Sequence, residues 1–308
     1  MKDKKLVLYL LWAFALAWPL QAAASSLSRQ GNQTAFQLIM MCSMFAPLVA
    51  AMLAGIPLKD MGWKPILRGK WGWFFAAWFV PALLTALGAA VYFLCFPGRL
   101  DLSGAYTVEH LRNTVGEEGL AEALAQLEEK GLSLRLLTLV SAVQAVTYAP
   151  ILNCLVAVGE EAGWRGAMLP RLKERFGRRR GWLLGGVIWG AWHWPVMILA
   201  GYEYGMEYWG APLLGLLVFC LFTTALGLLL DLCYEKTRCL WVPALGHGAV
   251  NAAAGIPLLF LNPAYSDRLI FGPSMQGLIA GIPLFLLALF VLLRTKDEGP
   301  RPAEEAEN

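Results

Sequence analysis

The chain has 308 residues, 58% of them hydrophobic and only 15% charged, with a mean hydropathy of +0.54. Soluble globular domains carry about 25% charged residues, so this composition excludes a soluble enzyme, a disordered chain and a fibrous protein. It indicates an all-α, polytopic membrane protein, and the net charge of +3 implies no nucleic-acid partner because the basic residues are sorted along the chain.

A bilayer core requires roughly 20 apolar residues per helix. Eight such runs are predicted, at about 6–24, 35–58, 71–96, 133–168, 181–200, 212–231, 240–261 and 270–293. The first could alternatively be read as a signal peptide, with a basic start and Ala22-Ala23-Ala24 near a cleavage position. The fourth is too long for one span and carries Pro150, Glu160, Glu161 and Arg165, which predicts a kink or an extension beyond the membrane. The stretch 97–132 is an extracytoplasmic loop in this reading. Its seven acids outnumber its bases, its Leu120, Leu124 and Leu127 suggest a short amphipathic helix, and its His110 has no evident role. Residues 295–308 form a solvated cytoplasmic tail.

Of the 25 Lys and Arg, 18 fall on the side of the N-terminus, the 59–70 and 171–180 loops, Lys236 with Arg238, and the C-terminus. Six fall on the other side, and Arg165 lies within a span. This asymmetry predicts both termini in the cytoplasm of a cell-membrane protein. The Arg178-Arg179-Arg180 run reads as a topology determinant that contacts lipid phosphates. Trp182, Trp192 and Trp194 read as interface or packing residues, and the six cysteines as free thiols. The whole chain, 1–308, is expected to form one transmembrane domain with a core at about 133–261.

An ionisable group inside a span costs about 2.5–3.5 kcal/mol on insertion scales, so such groups are functional candidates. They concentrate in three motifs within 150–255: Glu160-Glu161 with Trp164 and Arg165, Trp189 with His193, and His247 with Asn251. Glu161 and Arg165 share a helix face at i,i+4 and can pair. Glu160 is turned about 100° away, toward Trp164, and is the more reactive candidate. His247 and Asn251 are also i,i+4 and can both donate to one point. At 1.5 Å per residue, Glu160, His193, His247 and Asn251 lie roughly 14–20 Å from the nearest cytoplasmic arginines, a common depth on three helices. Gly159-x3-Gly163, Gly186-x3-Gly190 and the glycines at 246 and 248 allow these helices to approach closely.

Glu, two His and Asn suit amide hydrolysis. Glu160 would accept a proton from water that His193 positions, and His247 and Asn251 would donate to the oxyanion. There is no Gly-x-Ser-x-Gly elbow, and Cys154 lacks an evident histidine partner. Zinc on Glu160, His193 and His247 is an alternative, although the spacing is not His-Glu-x-x-His.

Glu160-Glu161-x3-Arg165, an aromatic-x3-His193 and His247-x3-Asn251, in this order, resemble the CPBP family of intramembrane proteases, which includes type II CAAX prenyl endopeptidases, bacteriocin-processing (Abi) proteins and lysostaphin-resistance-like proteins. The stretches 160–172 and 187–195, and Tyr234-Glu235-Lys236-Thr237 with Leu240-Trp241, extend the resemblance. Trp189 stands where that family often has Phe. The resemblance implies a helical membrane endopeptidase in which Glu160 and His193 activate water, His247 and Asn251 stabilise the oxyanion, and Glu161, Arg165, Trp164 and Trp189 support the architecture or the substrate. It implies a peptide or membrane-protein substrate, including lipid-modified ones, membrane lipids as surroundings, and a glutamate-dependent reaction without a required cofactor, with zinc as the other version. The competing functions are a non-catalytic immunity or scaffold protein on the same fold and, with no matched broken helices in its support, a transporter.

Overall fold

The computed structural model describes residues 2–65 and 67–296, so the expected tail lies outside the described residues from position 297 onward. The described chain is helical, apart from turns and one isolated bridge between Leu100 and Leu261. Six helices or helix pairs are long and apolar enough to cross a membrane, a bent pair makes a seventh candidate, and a shorter apolar helix follows near the C-terminus. The eight apolar runs thus map onto eight apolar elements.

Helix α1 (Lys2–Arg29) buries a stripe of Tyr9, Ala13, Ala17, Gln21 and Ser25, spaced by four residues. The second run is split into α2 (Gln33–Ser43) and α3 (Ala46–Leu53), with Pro47 in the first turn of α3, and α4 (Trp71–Cys95) is continuous. Helix α5 (Ala105–Glu129) occupies most of the 97–132 stretch and is longer than the leucine spacing suggested, but Gly116 breaks it at φ 76°. Its Leu120 is buried, and His110 stacks on Tyr106.

The fourth run bends by 50° between α6 (Leu134–Val146) and α7 (Ala149–Glu161). Pro150 has no N–H for the Val146 carbonyl; that carbonyl instead accepts from the Trp78 indole at 2.8 Å. Beyond Glu161 the helix widens into a π segment (Ala162–Met168) and ends as α8 (Leu169–Phe176). The fifth run is α9 (Arg178–Trp192) and α10 (Trp194–Ala200), broken at His193 with Pro195 just after it. Helices α11 (Leu213–Thr237), α12 (Trp241–Ala253) and α13 (Ile282–Arg294) complete the bundle.

Helix α12 lies at the centre, buried at every position from Val242 to Val250 and packed on α7, α4 and α11. Glycines permit this. A Cβ at Gly248 would stand 2.6 Å from the Cys154 nitrogen, and one at Gly186 would stand 2.2 Å from the Thr224 Cα. The small-residue motifs therefore mark backbone contacts.

The basic loops gather at one end. Lys70 donates to the Thr237 carbonyl, Trp241 to that of Trp63, Lys5 to that of Gly55, and Arg179 to those of Leu293 and Thr295. Arg178 and Arg179 thus have protein partners that the sequence did not indicate: Arg178 pairs with Glu235 and lies 4.7 Å over the Trp182 ring. Trp182 and Trp192 are buried in the interior, so packing describes them and the interface reading does not.

Candidate active site

Glu160 ends α7 and is 2% exposed. Its Oε2 accepts two indole hydrogen bonds, from Trp164 at 3.0 Å and Trp189 at 2.7 Å. The first is the i,i+4 contact read from the sequence. The second crosses from α9 and assigns Trp189 more than a packing role, since a phenylalanine at that position would supply no donor. Glu160 Oε1 takes no hydrogen bond from the described residues.

Glu161 points elsewhere. Its Oε1 accepts from Arg165 Nη1 at 3.0 Å and lies 2.9 Å from His247 Nδ1. One carboxylate thereby holds α12 to the π segment. Arg165 also reaches the Gly227 carbonyl at 3.4 Å and lies 4.5 Å from the Trp189 ring centroid. All three side chains of this knot are buried. Removing one member of such a buried pair typically costs 3–5 kcal/mol, because the other charge is left without compensation.

The two histidines are each fixed through Nδ1. At the α9–α10 break, the His193 N–H bonds the Gly190 carbonyl at 3.0 Å, a tightened turn that releases the Trp189 carbonyl. The His193 imidazole donates Nδ1–H to that carbonyl at 3.0 Å, because a carbonyl can only accept. Its Nε2 therefore keeps the lone pair when the ring is neutral. His247 donates Nδ1–H to Glu161, so its Nε2 carries a proton only when the ring is charged. Trp189 packs beside both rings, with centroids 6.4 Å from His193 and 5.3 Å from His247.

Glu160, His193, His247 and Asn251 line one cavity of about 400 Å³. Asn251 is exposed in it, and its side chain makes no hydrogen bond with the described residues. Glu161, Arg165 and Trp164 stay outside this lining, while Trp189 contributes to it. The cavity walls come from α2, α7, the end of α9, the halves of α11 and α12 remote from the basic end, and the loop after α10.

The zinc set does not fit. Among the described residues no three His, Cys, Asp or Glu side chains are grouped to hold a metal ion. Cys154 faces the Trp241 carbonyl at 3.8 Å and is structural.

Three cavity residues were not legible as site residues. Asn153 lies seven positions before Glu160, on the same helix face, so its spacing was a usable signal. Glu203 and Gln276 come from loops, where no periodicity points inward. The buried acid Asp231 reads as the end of a span, but it is tied to Trp182 and Lys173.

No curated protein matches the chain. Residues 142–253 match the family model described as Type II CAAX prenyl endopeptidase Rce1-like. That stretch contains Glu160, Glu161, Arg165, His193, His247 and Asn251, so the segment that builds the site is similar to that family.

Proposed function

We propose that this protein is an intramembrane endopeptidase whose water is activated by Glu160 and His193. The observation that carries the reading is the shared cavity: four polar side chains from three separate motifs face one space, while the structural pair Glu161–Arg165 does not. Glu160 Oε1 and His193 Nε2 are the two acceptors for a water molecule. As the water oxygen attacks the peptide carbonyl, its proton passes to this pair. The new oxyanion accepts from the Asn251 amide and from protonated His247, whose charge Glu161 supports; each such donor is worth about 2.7–4 kcal/mol. Collapse of the tetrahedral intermediate breaks the C–N bond, and the amine leaves with the proton that Glu160 and His193 had taken. The two indoles on Glu160 Oε2 hold the carboxylate so that Oε1 faces the cavity.

The substrate in this reading is a membrane-associated peptide. An apolar groove of about 260 Å³ between α4, α11, α12 and α13 shares Leu226 and Val250 with the cavity and suits a substrate with a lipid tail. With both termini in the cytoplasm of the cell membrane, the cavity mouth faces outward. Glu160→Gln protein carrying photo-crosslinkers at the cavity rim should retain its substrate, which mass spectrometry then identifies. The wild type should cleave that captured protein, and with undiminished rate after chelator treatment. Wild-type-level cleavage by Glu160→Gln protein rejects the mechanism, and loss of activity on chelation rejects its metal-free form.

A further inference from the structure

The loop Gly201–Gly205 projects a carboxylate into the cavity at the end remote from the basic loops. It is closed by a Gly205 N–H bond to the Gly201 carbonyl at 2.8 Å. Glu203 at its apex has φ 73°, one of two positive-φ residues other than glycine among the described residues. Such a conformation is uncommon for a side chain of this kind and is found where function fixes the backbone. The loop is anchored rather than loose. Leu269 donates to the Tyr204 carbonyl at 3.1 Å, and the Tyr204 hydroxyl donates to the Gln276 carbonyl at 2.7 Å.

The hydrogen-bonding inventory of this end is one-sided. Glu203 accepts from Tyr202 but pairs with no Lys or Arg among the described residues. Gln276 is 5% exposed, lines the same cavity, and its Oε1 has no donor. The cavity lining contains Glu160 and Glu203 and no lysine or arginine. A carboxylate without a cationic partner and an amide oxygen without a donor, in an electronegative cavity, complement a group that has only N–H donors and a positive charge, which among side chains means lysine or arginine.

We propose that Glu203 is a specificity-determining residue that binds a lysine or arginine side chain of the substrate, close to the peptide bond being cut. This rests on the endopeptidase reading of the same cavity. Burial raises the Glu203 carboxyl to about 7, against the hydrogen bond from Tyr202 that lowers it. The carboxylate form, which alone attracts a cation, therefore predominates above about pH 7 and is lost as pH falls through that value. The other titratable groups facing this end are Tyr202 on the same loop, Glu160 on α7, His193 at the α9–α10 break and His247 on α12, with Asp267 and Arg268 on the turn beneath.

The test uses detergent-solubilised full-length protein and quenched fluorescent peptides in matched pairs. Each pair has lysine or its uncharged isostere norleucine at one position, moved through three residues on either side of the cut. At one position lysine should be preferred on the order of tenfold in kcat/KM, expressed mainly in KM. The preference should grow as pH rises from 6 to 8 in the wild type. Because the lysine-to-norleucine ratio is taken within one protein and one pH, titration of Glu160 or the histidines cancels. The ratio should fall to near one in Glu203→Gln, and Glu203→Lys should invert it when glutamate replaces lysine in the peptide. Cleavage with a ratio near one at every position, or a ratio unchanged in Glu203→Gln or with pH, overturns this inference alone. Cleavage of none of the peptides overturns it together with the endopeptidase reading.

Discussion

Two clusters of buried charge lie in this bundle, and they differ in one respect. At the basic end, Lys173 pairs with Asp231 and Glu235, Arg178 with Glu235, and Trp182 donates to Asp231. At mid-depth, Glu161, Arg165 and His247 form a comparable knot, with Glu160 beside it. The first cluster ties α8, α9 and α11 together and lines no part of the 400 Å³ cavity. The second adjoins that cavity, and Glu160 and His247 form part of its lining. Ionisable groups within a membrane protein are thus of two kinds. Those paired away from the cavity hold helices together, and those that face it are available for chemistry.

That contrast can be tested by substitution. The largest effect is expected for Glu160→Gln, which should lower kcat by about 10³–10⁴-fold, the range of general base catalysis, while thermal unfolding stays close to that of the wild type. Arg165→Met should instead unfold the protein more readily. It leaves the Glu161 carboxylate buried with only His247, for a loss of about 3–5 kcal/mol read by denaturation in detergent. Lys173→Met is the matching change in the other cluster. Partly exposed Lys173 leaves Asp231 its indole donor, so a smaller loss of about 1–3 kcal/mol is expected, with kcat of the folded protein unchanged. An equal fall in kcat for Lys173→Met and Glu160→Gln would erase the distinction. Trp189→Phe removes one hydrogen bond to Glu160 and keeps the aromatic volume. A charge-assisted bond of about 1.5 kcal/mol corresponds to roughly a tenfold slower reaction, measurable as kcat without a change in fold.

The difference between the clusters also explains what could be read without coordinates. Glu161–Arg165 and Glu160–Trp164 were legible because i,i+4 spacing converts directly into contact on a helix. The common depth of His193, His247 and Asn251 followed from rise per residue. Partners between helices were not legible: nothing in the order of residues says that His247 meets Glu161 or that Trp189 meets Glu160. The basic run at 178–180 carried a true signal of which loops share an end. Its contacts with Glu235 and the α13 carbonyls depended on how α8, α9, α11 and α13 pack. Glu203 was hidden for a related reason, since a turn held at positive φ aims its side chain by backbone geometry and not by periodicity.

The first helix bears on all of this. The Trp192 indole rests on the Ala13 carbonyl at 3.1 Å, and Gln21 returns a bond to the Trp192 carbonyl at 2.9 Å. Trp192 in turn packs against His193, with ring centroids 4.7 Å apart. The segment that most resembles an export leader is thus a foundation under the imidazole. Removal of residues 1–24 would take away both contacts with Trp192, and with them the support behind the His193 ring.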